Sequence, residues 1–188
     1  MSVPDEYLLE KVARGLSEPL AAAERGGFAS ILKMAAGVYS TRPVHDEVTV
    51  PSGFDPEAAA LFESILEAAY LVAAADGVLD DSEREAFAYV VSTACGGVVD
   101  EDHIHDLLCD LRDQLEEDGL DRRIASLTRS VKKPEQQREV LRIAGLLAHV
   151  SGGVSDAERD VLAKLATSFA LDPTEVDAAL RAVKSALA

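Results

Sequence analysis

Residues 66–91 read LEAAYLVAAADGVLDDSEREAFAYVV and predict two helices joined by a tight turn. Small and apolar side chains give the first helix a narrow face that can pack closely against a neighbouring helix. Gly77 is expected to end this helix, because glycine enters the left-handed backbone region without a steric penalty. Asp80 and Glu83 have the spacing of a capping box, so a second helix is expected to begin directly after Asp80.

Asp76 lies in this turn and has no structural role in the pattern. The helix macrodipole disfavours a negative charge at a helix C-terminus, which makes Asp76 the first candidate for a functional residue. Asp76 and Asp80 flank a glycine turn, where two carboxylates and backbone carbonyl groups can converge on one hard cation. Ligation by oxygen alone favours calcium or magnesium over zinc. The alternatives are that Asp76 binds amides of the turn and that Asp80 and Glu83 only cap the helix.

The same stretch occurs a second time, 75 residues later, at residues 141–166 (LRIAGLLAHVSGGVSDAERDVLAKLA). No gap is needed across the turn, and about one position in three is identical. Ser155 and Glu158 form a second capping box. Two copies indicate an internal duplication within one domain, because a solenoid needs three or more repeats.

The pattern of an apolar helix, Ala-Asp-Gly, a short turn, an Asp or Ser cap and Glu-Arg resembles the TerB (tellurite resistance) family. A similar module occurs at the N-terminus of some DnaJ-like membrane co-chaperones. Residues 75–84 (ADGVLDDSER) match the motif, and residues 155–159 (SDAER) match it again. The resemblance implies an all-α bundle of about seven helices over residues 54–188, in halves at about 54–119 and 120–188. Residues 1–53 are then an N-terminal helical extension and loop.

The resemblance also implies a function. The family suggests a metal-responsive, non-catalytic module in a stress-response or envelope-associated complex, with protein partners and a divalent cation as cofactor. Ser151 stands where the first copy has its turn aspartate, so a symmetric pair of metal sites is not expected. The metal ligands carried over from the family are Asp76, Asp80 and Glu83, with Asp156 and Glu158 as weaker ligands.

The chain carries a formal net charge of −16, which argues against nucleic acid as a ligand because phosphate binding requires a basic surface. Residues 54–121 contain nineteen acidic side chains but only two basic ones, whereas residues 122–188 contain eight acidic and eleven basic ones. The acidic half is either a solvated face or a field that attracts a cation or a basic partner. The alternative function is therefore a metal-free scaffold whose acidic half docks a basic protein, with its N-terminal helices mediating either self-association as a homodimer or docking.

Other classes of protein fit the sequence poorly. No apolar run approaches the length of a membrane span, and the N-terminus is acidic, so we expect no membrane insertion and a cytoplasmic location. There is no glycine-rich phosphate loop, no Gly-x-Ser-x-Gly elbow and no Glu-x-x-His pair, so we expect no enzyme activity.

The cysteine and histidine residues do not complete a recognisable metal site. Cys95 and Cys109 are predicted to be buried free thiols. His105 and Cys109 share a helix face, but His103 lies off that face and no fourth zinc ligand has a suitable spacing. Surface histidines on an acidic helix are the preferred interpretation.

Overall fold

Helices make up all the regular secondary structure in the part of the chain that the structure describes. The computed structural model describes residues 5–19, 30–41 and 55–188, and these ranges contain nine α-helices, one 3₁₀ turn and no strand. The all-α prediction is confirmed, with seven helices after residue 55. Part of the predicted N-terminal extension and loop at residues 1–53 lies outside the described ranges. The helices are α1 (Glu6–Ser17), α2 (Ile31–Tyr39), α3 (Pro56–Ala73), α4 (Asp81–Ala94), α5 (Glu101–Asp118), α6 (Leu120–Ser130), α7 (Pro134–Leu147), α8 (Asp156–Ser168) and α9 (Thr174–Leu187), with the 3₁₀ turn at Ala148–Ser151.

The long helices α3 and α7, which are equivalent in the duplication, form the centre of the core. They make the most extensive contact between any two helices of the described chain. Leu66 and Ala69 in α3 are fully buried, and so are their equivalents Leu141 and Ala144 in α7. Alanine at these positions allows close approach of the helices, while each fully buried leucine contributes about 1.5–3 kcal/mol.

Each long helix leads through a turn into a helix with a capping box, as the sequence predicts. The Asp80 side chain accepts from the Glu83 amide at 2.9 Å, and a Glu83 carboxylate oxygen accepts from the Asp80 amide at 2.9 Å. Ser155 and Glu158 repeat the arrangement at the start of α8. The end of the first helix was predicted too late, because α3 ends at Ala73 and further turn residues precede Gly77, whose φ is +155°.

Helix α1 is packed into the same core, although the sequence assigns it to an extension. It contacts α4, α7 and α9, and α6 contacts the equivalent set in the other half, namely α8, α3 and α5. Arg142 of α7 holds the end of α1, because its guanidinium donates to the carbonyl groups of Gly15 at 2.7 Å and Glu18 at 2.8 Å. The same guanidinium forms a buried ion pair with Glu139. Helices α1 and α6 are therefore counterparts in the two halves.

We predict that Arg142→Ala is strongly destabilising. The substitution leaves the buried Glu139 carboxylate without its ion-pair partner. It also removes the hydrogen-bond donor of the α1 carbonyl groups, and alanine provides no replacement. Removing one member of a buried ion pair costs about 3–5 kcal/mol, measurable by urea unfolding. Arg138→Ala is the matched control, because its pair with Glu175 is partly exposed and should contribute no more than about 1 kcal/mol. Equal effects of the two substitutions would contradict this account of α1.

Candidate functional site

The duplication brings the two helix–turn–helix units together at their turns. The 3₁₀ turn of the second half contacts both α3 and α4 of the first half, and α8 packs against α3. As a result, carboxylates of the first turn act electrostatically on a carboxylate of the second. We call this place the turn junction, and define it as Asp76, Glu83 and Glu158.

Glu158 is the buried member of the turn junction. Its side chain is only 1% exposed. One carboxylate oxygen, Oε2, accepts from the Ser155 amide at 2.7 Å, while Oε1 has no hydrogen-bond partner. Burial raises the pKa of Glu158, the hydrogen bonds to Ser155 oppose that rise, and the negative charges of Asp76 and Glu83 add to it. A buried carboxylate with an unpaired oxygen and negative neighbours is unfavourable for folding.

The first turn contributes the more exposed members of the site. Asp76 is exposed, and its carboxylate forms no hydrogen bond or ion pair with another residue of the described ranges. Glu83 is half-buried and uses Oε2 in its capping box, which leaves Oε1 available. Asp80 is engaged as the N-cap, and its hydrogen bonds to the Ser82 hydroxyl and the Glu83 amide lower its pKa.

The five predicted metal ligands do not converge on one point. Within residues 5–19, 30–41 and 55–188, no three His, Cys, Asp or Glu side chains form a group that could already hold a metal ion. Asp80 is exposed and caps α4, and Asp156 is exposed in the first turn of α8. Glu158, which the sequence ranks among the weaker ligands, differs from the other four in being buried and in having a carboxylate oxygen without a hydrogen-bond partner. Its position 75 residues after Glu83 is the sequence signal that could have identified the pair.

The cysteine prediction is half wrong. Cys95 is buried, and desolvation raises the pKa of its thiol to about 12, whereas Cys109 is exposed. The buried stripe of α5 consists of Ile104, Leu108 and Leu111, and Cys109 lies outside this stripe. Its position on the helix therefore exposes it, although cysteine is usually a buried residue. His103 is exposed and pairs with the N-cap Asp100 at 2.6 Å, which raises the pKa of His103.

A second acidic feature covers the outer side of α5. Within this helix the basic side chain is Arg112, whose guanidinium donates to Asp113 at 2.8 and 3.0 Å. The surrounding carboxylates therefore present a negative field to solvent. We define the acidic face as the exposed residues Asp102, Asp106, Asp110, Asp113 and Glu117.

The fold and the site define an internally duplicated helical domain in which the turn of the second half packs against α3 and α4 of the first half. The family model described as "Tellurite resistance protein TerB" matches residues 63–181, well over half of the chain. The protein belongs to the TerB family, whose members are generally non-catalytic. No curated protein and no solved structure matches the chain. Among the described helices, none has the length and apolar character required to cross a membrane.

We predict that Glu158→Gln stabilises the cation-free protein at neutral pH. Because the folded state raises the pKa of Glu158, its ionisation favours unfolding, and this penalty develops as pH rises through and above the ordinary glutamate range. Glutamine keeps the capping box but removes the charge. The free energy of unfolding, measured against pH after chelator treatment, should therefore rise at neutral pH and change little at acid pH.

Asp156→Asn is the control for that measurement, since Asp156 is exposed on the same helix turn. A Glu158→Gln protein that is less stable than wild type at neutral pH would show that the Glu158 charge is compensated.

Proposed function

We propose that this protein is a non-catalytic TerB-family module that binds a divalent cation at the turn junction and acts within a stress-response or envelope-associated protein complex in the cytoplasm. The observation that carries the cation proposal is the buried Oε1 oxygen of Glu158, which has no hydrogen-bond partner and lies within the electrostatic influence of Asp76 and Glu83. No lysine, arginine or histidine of the described ranges forms an ion pair with Asp76, Glu83 or Glu158. Buried charges in proteins are normally paired or coordinate a metal.

The chemistry of the junction fits a hard cation. The oxygens of the turn junction that accept no hydrogen bond, and could therefore bind a metal, are both oxygens of Asp76 and one oxygen each of Glu83 and Glu158. Calcium and magnesium prefer such ligands, whereas zinc prefers nitrogen and sulfur. When bound, the cation would supply the positive charge that the junction lacks. The exposed Asp76 and the half-buried Glu83 must move toward Glu158, so binding is coupled to a local rearrangement.

The test is thermal unfolding of the chelator-treated protein with added calcium, magnesium, manganese or zinc. A cation that binds only the folded state stabilises it by about 2.7 kcal/mol at a hundredfold excess over Kd. We expect a rise in Tm with calcium or magnesium, and loss of that rise in Asp76→Asn.

Asp110→Asn is the matched control, because it removes the same charge from the exposed side of α5. If all cations act alike on the wild type and on both variants, the effect is only screening of surface charge, and the cation proposal is wrong.

The acidic face supports a second candidate function, the docking of a basic protein partner. Along this side of α5 the carboxylates recur at helical spacing, and the Arg112 guanidinium is already paired with Asp113. Such a surface accelerates association with a positively charged partner and excludes negatively charged ones. This function needs no metal and could coexist with a cation at the turn junction.

We predict that oligolysine, used as a probe, binds the acidic face in a salt-dependent manner. The double variant Asp106→Asn and Asp110→Asn should weaken the binding measured by titration at low ionic strength. The double variant Glu135→Gln and Asp160→Asn changes the net charge equally but lies in the second half of the chain. Equal weakening by the two variants would indicate attraction by net charge and no specific docking face.

A further inference from the structure

We infer that the outer side of α8 and α9 is a docking surface for an acidic segment of a partner protein. We call this surface the α8–α9 groove, and its central side chains are Arg159, Asp177, Arg181 and Lys184. The groove uses neither the turn junction nor the acidic face, so it does not depend on the functions proposed above.

Two adjoining cavities form the α8–α9 groove. Both are lined by Arg159 of α8 and Asp177 of α9, whose side chains form an ion pair between the two helices. The first cavity, of about 230 Å³, is partly lined by apolar side chains, namely Ala163, Ala166, Pro173 and Val176. The second cavity, of about 180 Å³, is lined by Leu180 and by charged side chains, namely Arg159, Asp177, Arg181 and Lys184. The groove therefore joins a space for an apolar side chain to a cationic site.

The second cavity carries positive charge that no residue of the described ranges neutralises. Arg181 and Lys184 are exposed, and neither side chain forms an ion pair or a hydrogen bond within those ranges. They follow Asp177 at helical spacing and therefore lie on the same side of α9. The charge of Asp177 is already balanced by Arg159, which leaves the charges of Arg181 and Lys184 available to a ligand.

The shared fold of the two halves does not require these cations. Helices α5 and α9 are equivalent in the duplication, at an offset of 72 residues that matches buried Leu108 with buried Leu180. At the same offset Arg181 corresponds to the exposed Cys109. The outer side of α5 is the acidic face, whereas the outer side of α9 has free cations. The two equivalent helices have therefore diverged in charge at a surface where packing does not determine the residue.

The α8–α9 groove fits a protein segment in which an apolar side chain is followed by carboxylates. The apolar side chain would enter the first cavity, and the carboxylates would pair with Arg181 and Lys184. Asp160 lines the first cavity and repels an acidic residue there, which determines the direction of the segment. A doubly charged phosphate group fits less well, because Asp177 lies among the cations of the second cavity.

The net charge of −16 does not prevent this interaction. At physiological ionic strength, charges are screened over about 8 Å, so the side chains nearest to the ligand dominate the field that it experiences. Binding of an acidic segment should therefore be measured at physiological salt, where repulsion by the distant carboxylates is weak.

The experiment measures the fluorescence anisotropy of a short labelled peptide, in which a leucine is followed by several glutamates, during titration with the full-length protein. The double variant Arg181→Gln and Lys184→Gln should weaken binding by about fivefold, the scale expected for loss of two exposed ion pairs. The double variant Arg129→Gln and Lys132→Gln is the matched control and should bind like wild type. It removes the same charge from exposed residues that line neither cavity.

Ala163→Leu tests the apolar part of the groove separately. Ala163 is exposed on α8, so the larger side chain fills the first cavity without entering the core, and leucine is a good helix former. This variant should weaken binding of the leucine peptide but not the residual binding of a peptide with serine in place of leucine. Circular dichroism of each variant verifies its fold.

Four results would overturn the inference. Equal weakening by the two double variants would indicate attraction by overall charge, and a wild type that does not bind the peptide would leave the groove without the assigned ligand. Binding of a single-stranded oligonucleotide in place of the peptide would identify a phosphate site. Self-association of the protein that Arg181→Gln and Lys184→Gln abolish would make a second copy of the chain the occupant. None of these results bears on cation binding at the turn junction.

Discussion

The close packing of α3 against α7 is the constraint on which the rest of the structure depends. These two helices are equivalent in the duplication, and small or branched apolar residues at matching positions allow them to lie at the centre of the core. Because each leads into its own turn, their packing also determines that the two turns meet. The turn junction is therefore a direct consequence of the symmetry of the core. Carboxylates that would be far apart in two separate hairpins come close enough in the folded domain for their charges to repel.

The same symmetry explains the buried charges of the long helices. Glu67 in α3 and Arg142 in α7 occupy equivalent positions, and each fixes a neighbouring helix. Glu67 accepts from Arg123 of α6 at 2.6 Å, while Arg142 pairs with Glu139 and donates to Gly15 at the end of α1. The charge at this position has been reversed between the halves, but in both cases the side chain attaches the helix that precedes the long helix of the other half, α6 for Glu67 and α1 for Arg142. Removing one partner of such a buried pair is strongly destabilising, whereas replacing the whole pair with apolar side chains is often nearly neutral.

Local features of the sequence predicted much of the fold, because capping boxes and helical periodicity depend on neighbouring residues. Both capping boxes follow from such patterns, whereas the expectation of about seven helices after residue 54 came from the family resemblance. The position of α1 could not be predicted in this way, since its counterpart α6 directly precedes α7 whereas α1 lies far from α3 in the chain. The candidate site was predicted only as a set of acidic residues. The burial of Glu158 and its unpaired oxygen arise from contact between the halves, which spacing along one helix does not reveal.

The identity of residue 158 bears on what the turn junction does. A capping box accepts glutamate or glutamine, so the fold requires a side-chain oxygen at this position but does not require a negative charge. The charge carries a cost, because Glu158 is buried beside Asp76 and Glu83 and one of its oxygens has no donor. By contrast, the exposed carboxylates on α5 remain hydrated and therefore cost little. A negative charge that capping does not require, at the place where the two halves meet, is the feature that the proposed cation would neutralise.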